Sequence, residues 1–357
     1  MLGMLGGNSQ TRFEVSTESQ IGECRRAAQR LAEVSGLDGT AVGRVGIVAT
    51  ELATNLVRHA SGGELLLQAL TGRGDPQIEL LAIDRGPGMA DVQRCLQDGY
   101  STGGTLGAGL GAVTRLSGTF DIYSIAGQGT IVLARLGSGP DAARGEGRGA
   151  AAARGGDGFE LGAICVPMPG EIECGDSWHV ASDGDAAAML VVDGLGHGVF
   201  AAAAARAAGN AFAAEPFRTP VEAIQHMHRA MSGTRGAAAA CALLPPHSHT
   251  LEYAGIGNIS GSMISPQRSQ GMVSHNGTLG TQLLRRVQQF SYAWPRDGHV
   301  VMHSDGISAR WSVSAYEGLH ARHSAVIAAV LYRDHGRGRD DATVLVLGRR
   351  PVGGGLQ

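Results

Sequence analysis

The sequence predicts an α+β chain of two domains, and three observations carry that prediction. Strand-length apolar runs are interleaved with a few long segments of helical period, which is the pattern of layered sheets flanked by helices. The stretch 137–158 contains only Gly, Ala, Ser, Pro, Arg and acidic residues. It has no apolar period, so it reads as a flexible linker between two folded parts. The chain has 357 residues, enough for two hydrophobic cores. The expected domains are 12–136 and 159–348.

In the first half, Thr17 to Gly36 has helical spacing at Ile21, Cys24, Ala28 and Leu31. Thr17 and Gln20 fit a capping box, and Gly36 is a natural stop. A second helix is expected over 40–60, with Val45, Val48, Leu52 and Leu56 facing inward. Strands follow at 64–70 and 77–83. A glycine-rich stretch from Gly86 to Gly107 leads to a helix over 108–117. The runs 120–125 and 130–136 read as a hairpin around Gly127-Gln128-Gly129. In the second half, strands are expected at 159–166, 186–192, 237–244, 250–255, 261–264, 287–292, 299–303 and 342–347. Helices are expected over 198–214, 220–231 and 316–332.

Composition excludes several functions. Net charge is −3 and no long basic stretch occurs, which argues against a nucleic-acid surface. All 29 basic residues are Arg. Without Lys there is no phosphate-loop lysine and no Schiff-base chemistry. The cysteines number five, with no Cys-x-x-Cys pair, as in a reduced, cytoplasmic protein. The first residues do not form a signal peptide, and no run approaches the roughly 20 apolar residues that span a bilayer.

Two groups of residues carry chemistry. Glu51 and Asn55 lie four apart on a helix and share a face. Asp84-Arg85-Gly86-Pro87-Gly88 follows a strand. Gly107-Ala108-Gly109-Leu110-Gly111 opens a helix, where free N–H groups and the helix dipole favour phosphate. In the second half, Asp193-Gly194-Leu195-Gly196-His197-Gly198 follows the apolar run 187–192, and Asp305 follows 300–304. Asp176 and the pair Asp340-Asp341 add further carboxylates. Such oxygen donors suit two hard divalent cations, which activate water against a phosphoester.

The first group resembles the GHKL ATPase superfamily, specifically RsbT-like switch-protein and anti-sigma serine kinases. The matching segments are Glu51 to Ala60, Asp84 to Gly88, Asp98-Gly99-Tyr100-Ser101 through Gly111, Arg115-Leu116-Ser117 and Gly129-Thr130. The resemblance implies a Bergerat-type ATP-binding α/β sandwich that uses ATP with Mg²⁺. Asn55 would hold the Mg²⁺, and Glu51 would take the proton of the attacking hydroxyl. Asp84 would bind the adenine amino group, with Thr130 supporting that pocket. Gly86 and Gly88 would pass close to the nucleotide, and Gly107, Gly109 and Gly111 would lie along the phosphates. Sensor histidine kinases share this fold but carry a phosphoacceptor His upstream; here the first His is His59.

The second group resembles SpoIIE-type phosphatases of the PPM superfamily, closest to RsbX-like enzymes. The matching segments are Cys174-Gly175-Asp176, Asp193 to Gly198, Gly255 to Asn258, His275 to Gly280, Ser304 to Ile307 and Asp340 to Thr343. The resemblance implies an αββα sandwich holding two Mn²⁺ or Mg²⁺ ions. Asp193 would bridge them and the Gly194 carbonyl would serve one. Asp305 and Asp340 would bind the other, with Asp176 in support. Asp341 stands where the superfamily often has Asn. His197 would donate a proton or a hydrogen bond. The phosphate-binding Arg that the superfamily carries near the start of its first strand has no counterpart here. The expected whole is a bacterial signalling phosphatase fused to an ATP module. Its substrate would be a phosphorylated STAS-domain protein in a stress or sigma-factor partner-switching pathway. Two rivals remain: a first half that binds ATP and a partner without phosphorylating, and a metallohydrolase of small phosphoesters.

Overall fold

The computed structural model describes residues 3–6, 9–72, 75–96, 109–138, 158–266, 268–281 and 286–349. The chain divides into two units, Gln10–Gly155 and Met1–Ser9 with Gly156–Gln357. It opens with β1 (Gly3–Gly6), which belongs to the second of these.

The unit Gln10–Gly155 contains β2 (Thr11–Val15), α1 (Glu18–Val34), α2 (Gly39–His59), β3 (Gly63–Leu70), β4 (Gln77–Ile83), the single turn α3 (Val92–Cys95), α4 (Gly109–Leu116), β5 (Thr119–Ile125) and β6 (Gly129–Gly137). Its strands form one antiparallel sheet in the order β2-β3-β4-β6-β5. Thr17 and Gln20 form the expected capping box at α1. Asp38 caps α2 by accepting the Ala41 N–H at 2.9 Å. One face of α2, Val45, Val48, Leu52 and Leu56, packs with Leu65, Leu67, Ile78 and Leu80 of the sheet. Burying that stripe leaves Glu51 and Asn55 at its half-buried margin.

The larger unit contains, besides β1, β7 (Phe159–Val166), β8 (Asp176–Asp183), β9 (Ala186–Gly194), α5 (Gly198–Ala214), α6 (Pro220–Ala230), β10 (Ala237–Leu244), β11 (Thr250–Ile256), β12 (Ser260–Ile264), β13 (Ser269–Met272), β14 (Ser274–His275), β15 (Phe290–Ala293), β16 (His299–His303), α7 (Ser324–His335) and β17 (Ala342–Arg349). One sheet runs β1-β8-β9-β10-β11-β14, with β15 also on β11; the other runs β13-β12-β16-β17-β7. Trp178, Tyr253 and Trp294 fill the core between them. Helices α5 and α6 cover the outer face of the first sheet, and α7 covers β7 and β17. This is the αββα sandwich. The alanines of α5 let it approach the sheet closely, and Gly209 presses on the His179 ring. Burial pulls His179 down to about 4, so it sits neutral under the helix.

Several elements differ from the sequence expectation. Strands β1, β2, β8, β13 and β14 lie outside the expected strands. The start of β8, Asp176-Ser177-Trp178-His179, looks polar, yet Asp176 and Ser177 are buried. The helix expected over 316–332 is displaced: Val313–Ala315 and Leu319–Ala321 form short 3-10 turns, and α7 begins only at Ser324. Gly318 takes a left-handed φ of +69°, which a continuous helix excludes. Gly107, Asp98 to Ser101 and most of the linker (139–157) lie outside the described residues.

Candidate functional site

In the larger unit the two sheets deliver carboxylates toward one place. Asp176 on β8 is the register partner of Asp193 on β9. Asp305 follows β16 and Asp340 precedes β17, and these two strands are neighbours. Asp193 is raised to about 7, by burial first and then by the negative charges of Asp305 and Asp340. Asp176 is pushed well up by burial and by Asp193. Its Oδ2 is buried with no hydrogen-bond partner. Gly194 leaves room for its backbone only, since a Cβ there would lie 2.3 Å from the Ala201 carbonyl oxygen.

Among the described residues, no three His, Cys, Asp or Glu side chains already stand as a metal-coordinating group. The carboxylates are gathered at electrostatic range rather than at ligand distance. Asn258 donates to Asp305 Oδ2 at 2.8 Å and also hydrogen-bonds Asp193. Asp341 does different work from its neighbour: Oδ1 accepts the Met168 N–H at 2.8 Å and Oδ2 the Gly175 N–H at 2.9 Å. It clasps the loop before β8 to the start of β17. The set still fits a divalent cation, because mutually repelling oxygen donors and an orphaned carboxylate oxygen are what a hard cation neutralises.

The metal-free protein is therefore expected to lose stability as pH rises. Asp193 binds its proton more tightly folded than unfolded, so folding takes up a proton between about 4, the unfolded carboxylate value, and about 7. Stability is greatest below that window and falls through it. Manganese should reverse this, with a larger rise in melting temperature at pH 7.5 than at pH 5. Equal shifts at both pH values would contradict it.

The loop after Asp193 is shaped by glycine. Gly196 and Gly198 have φ of +89° and +70°. His197 stands at the N-cap position of α5 without a side-chain capping bond, and its Nδ1 lies 2.7 Å from Glu171 Oε1. Glu171 and Asn258 were missed as site residues. Glu171 is 26 positions from His197, and only the fold joins them.

In the smaller unit, a Cβ on Gly109 would lie 2.7 Å from Glu51 Oε2 and 3.9 Å from Asn55 Oδ1. The start of α4 thus abuts both α2 side chains. Asp84 Oδ1 accepts the Gly86 N–H at 2.8 Å and the Thr130 N–H at 3.0 Å. Ser124 and Thr130 hydroxyls are 2.9 Å apart. Gly88 has φ +66°, and a Cβ there would collide with the Ile125 carbonyl. Gly111 is buried within α4. The structure thus brings together Glu51, Asn55 and Gly109 in one place, and Asp84, Gly86 and Thr130 in another.

Comparison with known proteins matches these two halves separately. The family model "Histidine kinase-like ATPase domain" covers residues 14–136, and "Stage II sporulation protein E (SpoIIE)" covers residues 183–350. Serine/threonine-protein kinase RsbT of Bacillus subtilis (strain 168) is 34% identical over 127 residues, which is 36% of this chain and 96% of RsbT. Among solved structures, a chain described under "The bacterial stressosome: a modular system that has been adapted to control secondary messenger signaling" aligns with TM-score 0.50 and 27% identity, over 54% of this chain and all of that one. RsbX in complex with magnesium aligns with TM-score 0.49 and 19% identity, over 54% of this chain and 96% of its own.

Fold and matches define a PPM-type phosphatase domain joined to a GHKL-type ATPase domain. The chain belongs to the RsbT-like kinase family through its first half, and its second half matches the SpoIIE family model. Among the described residues no helix is long and apolar enough to cross a membrane.

Proposed function

We propose that the larger unit removes phosphate from phosphoserine or phosphothreonine on a partner protein, and that the smaller unit binds ATP with Mg²⁺ and phosphorylates a regulator of the same kind. The carrying observation is the convergence of Asp176 and Asp193 from one sheet with Asp305 and Asp340 from the other to within electrostatic range. Asp176, Asp193, the Gly194 carbonyl, Asp305 and Asp340 are the residues that would hold two Mn²⁺ or Mg²⁺ ions, with Asp341 as the clasp beside them. When bound, the ions supply Lewis acidity and an activated water. His197, held at Nδ1 by Glu171, would in its doubly protonated form give the Nε2 proton to the leaving seryl oxygen.

The rim favours a protein substrate. Ile172, Leu195, Val199 and Phe200 are large apolar side chains exposed by 92, 45, 55 and 62%. They flank Glu171 and His197, and such exposed apolar surface beside a site suits a folded partner better than a small phosphoester. By kinship to RsbT and to the stressosome chain, that partner is a STAS-domain phosphoprotein in a partner-switching pathway. Turnover with Mn²⁺ should be efficient on a phosphorylated STAS protein and weak on a generic aryl phosphate. The opposite ranking would favour a small-molecule metallohydrolase.

A further inference from the structure

The start of β7, Phe159-Glu160-Leu161, brings no cationic side chain to the acidic site. We propose that Arg235, from the turn before β10, grips the phosphoryl group beside the loop that follows Asp193. This rests on the phosphatase reading and names the substrate contact that reading lacks.

Three observations place Arg235 there. The Leu195 N–H donates to the Gly236 carbonyl at 3.0 Å, which ties the turn carrying Arg235 to the loop after Asp193. Next to it, Gly194 and Asp193 are the register partners of Ala237 and Ala238. The guanidinium reaches back over that loop: its Nη1 lies 3.2 Å from where a Cβ on Gly196 would be. Any larger residue at Gly196 would meet the Arg.

The guanidinium is also held and left available. It stacks on the Phe200 ring with Cζ 4.7 Å from the centroid. Stacking fixes its plane while leaving the N–H edge open. Among the described residues no carboxylate pairs with it, whereas Arg206 nearby on α5 is taken by Glu173 at 2.8 Å. A fixed, unpaired guanidinium fork suits two oxygens of a phosphate dianion, and the neighbouring carboxylates give it no partner at bonding distance. Phe200 thus serves as its platform, which links the apolar rim to phosphate recognition.

The test uses the full chain with Mn²⁺, aryl phosphate as substrate and inorganic phosphate as probe. Arg235→Ala should raise KM for the aryl phosphate and the inhibition constant of phosphate by roughly ten- to a hundredfold, as for loss of a charge-assisted hydrogen bond. Arg235→Lys should recover part of this, since it restores charge without the fork, and Mn²⁺ affinity should stay unchanged in both. Phe200→Leu, which removes the platform, should weaken phosphate less than Arg235→Ala does. Phosphate affinity within twofold of wild type in Arg235→Ala, read by calorimetry, would overturn the assignment. Absence of any Mn²⁺-dependent turnover in the wild type would instead overturn the phosphatase reading, while calorimetry still decides the role of Arg235.

Discussion

Asp193→Ala is expected to abolish manganese-dependent dephosphorylation, by roughly a thousandfold or more, since the centre it helps to form supplies several kcal/mol of charge stabilisation. The expectation follows from its position. Asp193 is the register partner of Asp176 and feels both Asp305 and Asp340, so it is the carboxylate common to the two sheets. Removing it leaves the other carboxylates without a shared centre. Asp193→Asn separates charge from shape. It keeps the volume, deletes the repelling charge, and should make the metal-free protein more stable at pH 7.5 while eliminating activity. A gain in melting temperature with loss of manganese affinity, both on one substitution, is the signature of a site that sacrifices stability for function. Retention of manganese-dependent turnover in Asp193→Ala would remove the basis of the proposed phosphatase.

The same residue shows what the sequence discloses and what it withholds. Asp193 was legible because a buried apolar strand ended in a carboxylate and then in glycine. Asp305 and Asp340 were legible for similar reasons, each at one end of an apolar run. Asp176 joined Asp193 as a further carboxylate and through the family resemblance; their register pairing was not legible, because β8 opens on polar residues and its strand character comes from pairing with β9, not from alternation. The job of Asp341 was equally hidden. Sequence sees two adjacent aspartates; only the fold shows Met168 and Gly175 donating to the second. Contacts such as Glu171 with His197, or Arg235 with the loop at Gly196, join residues far apart in the chain, and no local pattern encodes them. Local chemistry served well where the element was self-contained, as in the α1 capping box. It served poorly at 313–335, where Gly318 and the cap by His323 decide the helix start.

Glu51→Ala is expected to separate nucleotide binding from phosphoryl transfer in the smaller unit. Glu51 lies against Gly109 at the first turn of α4, and the first N–H groups of a helix, which lack intrahelical partners, favour phosphate. A carboxylate in that position does little for ATP affinity, because it carries the same sign as the phosphates. Its value lies in accepting the proton of the attacking hydroxyl, a contribution of about 10²- to 10⁴-fold. ATP affinity should therefore be unchanged or slightly tighter in Glu51→Ala, while phosphate incorporation into a STAS-domain acceptor drops by that factor. Asn55→Ala should behave oppositely and lose Mg²⁺-dependent ATP binding, since an amide oxygen is a hard ligand whose role is positional. Two variants one helical turn apart would then fail in different ways, which a misfolded domain cannot imitate. If Glu51→Ala transfers phosphate as well as wild type, or if the wild type binds ATP with no transfer to any STAS acceptor, the smaller unit is a nucleotide-dependent binding module, and the phosphatase stands without a kinase beside it.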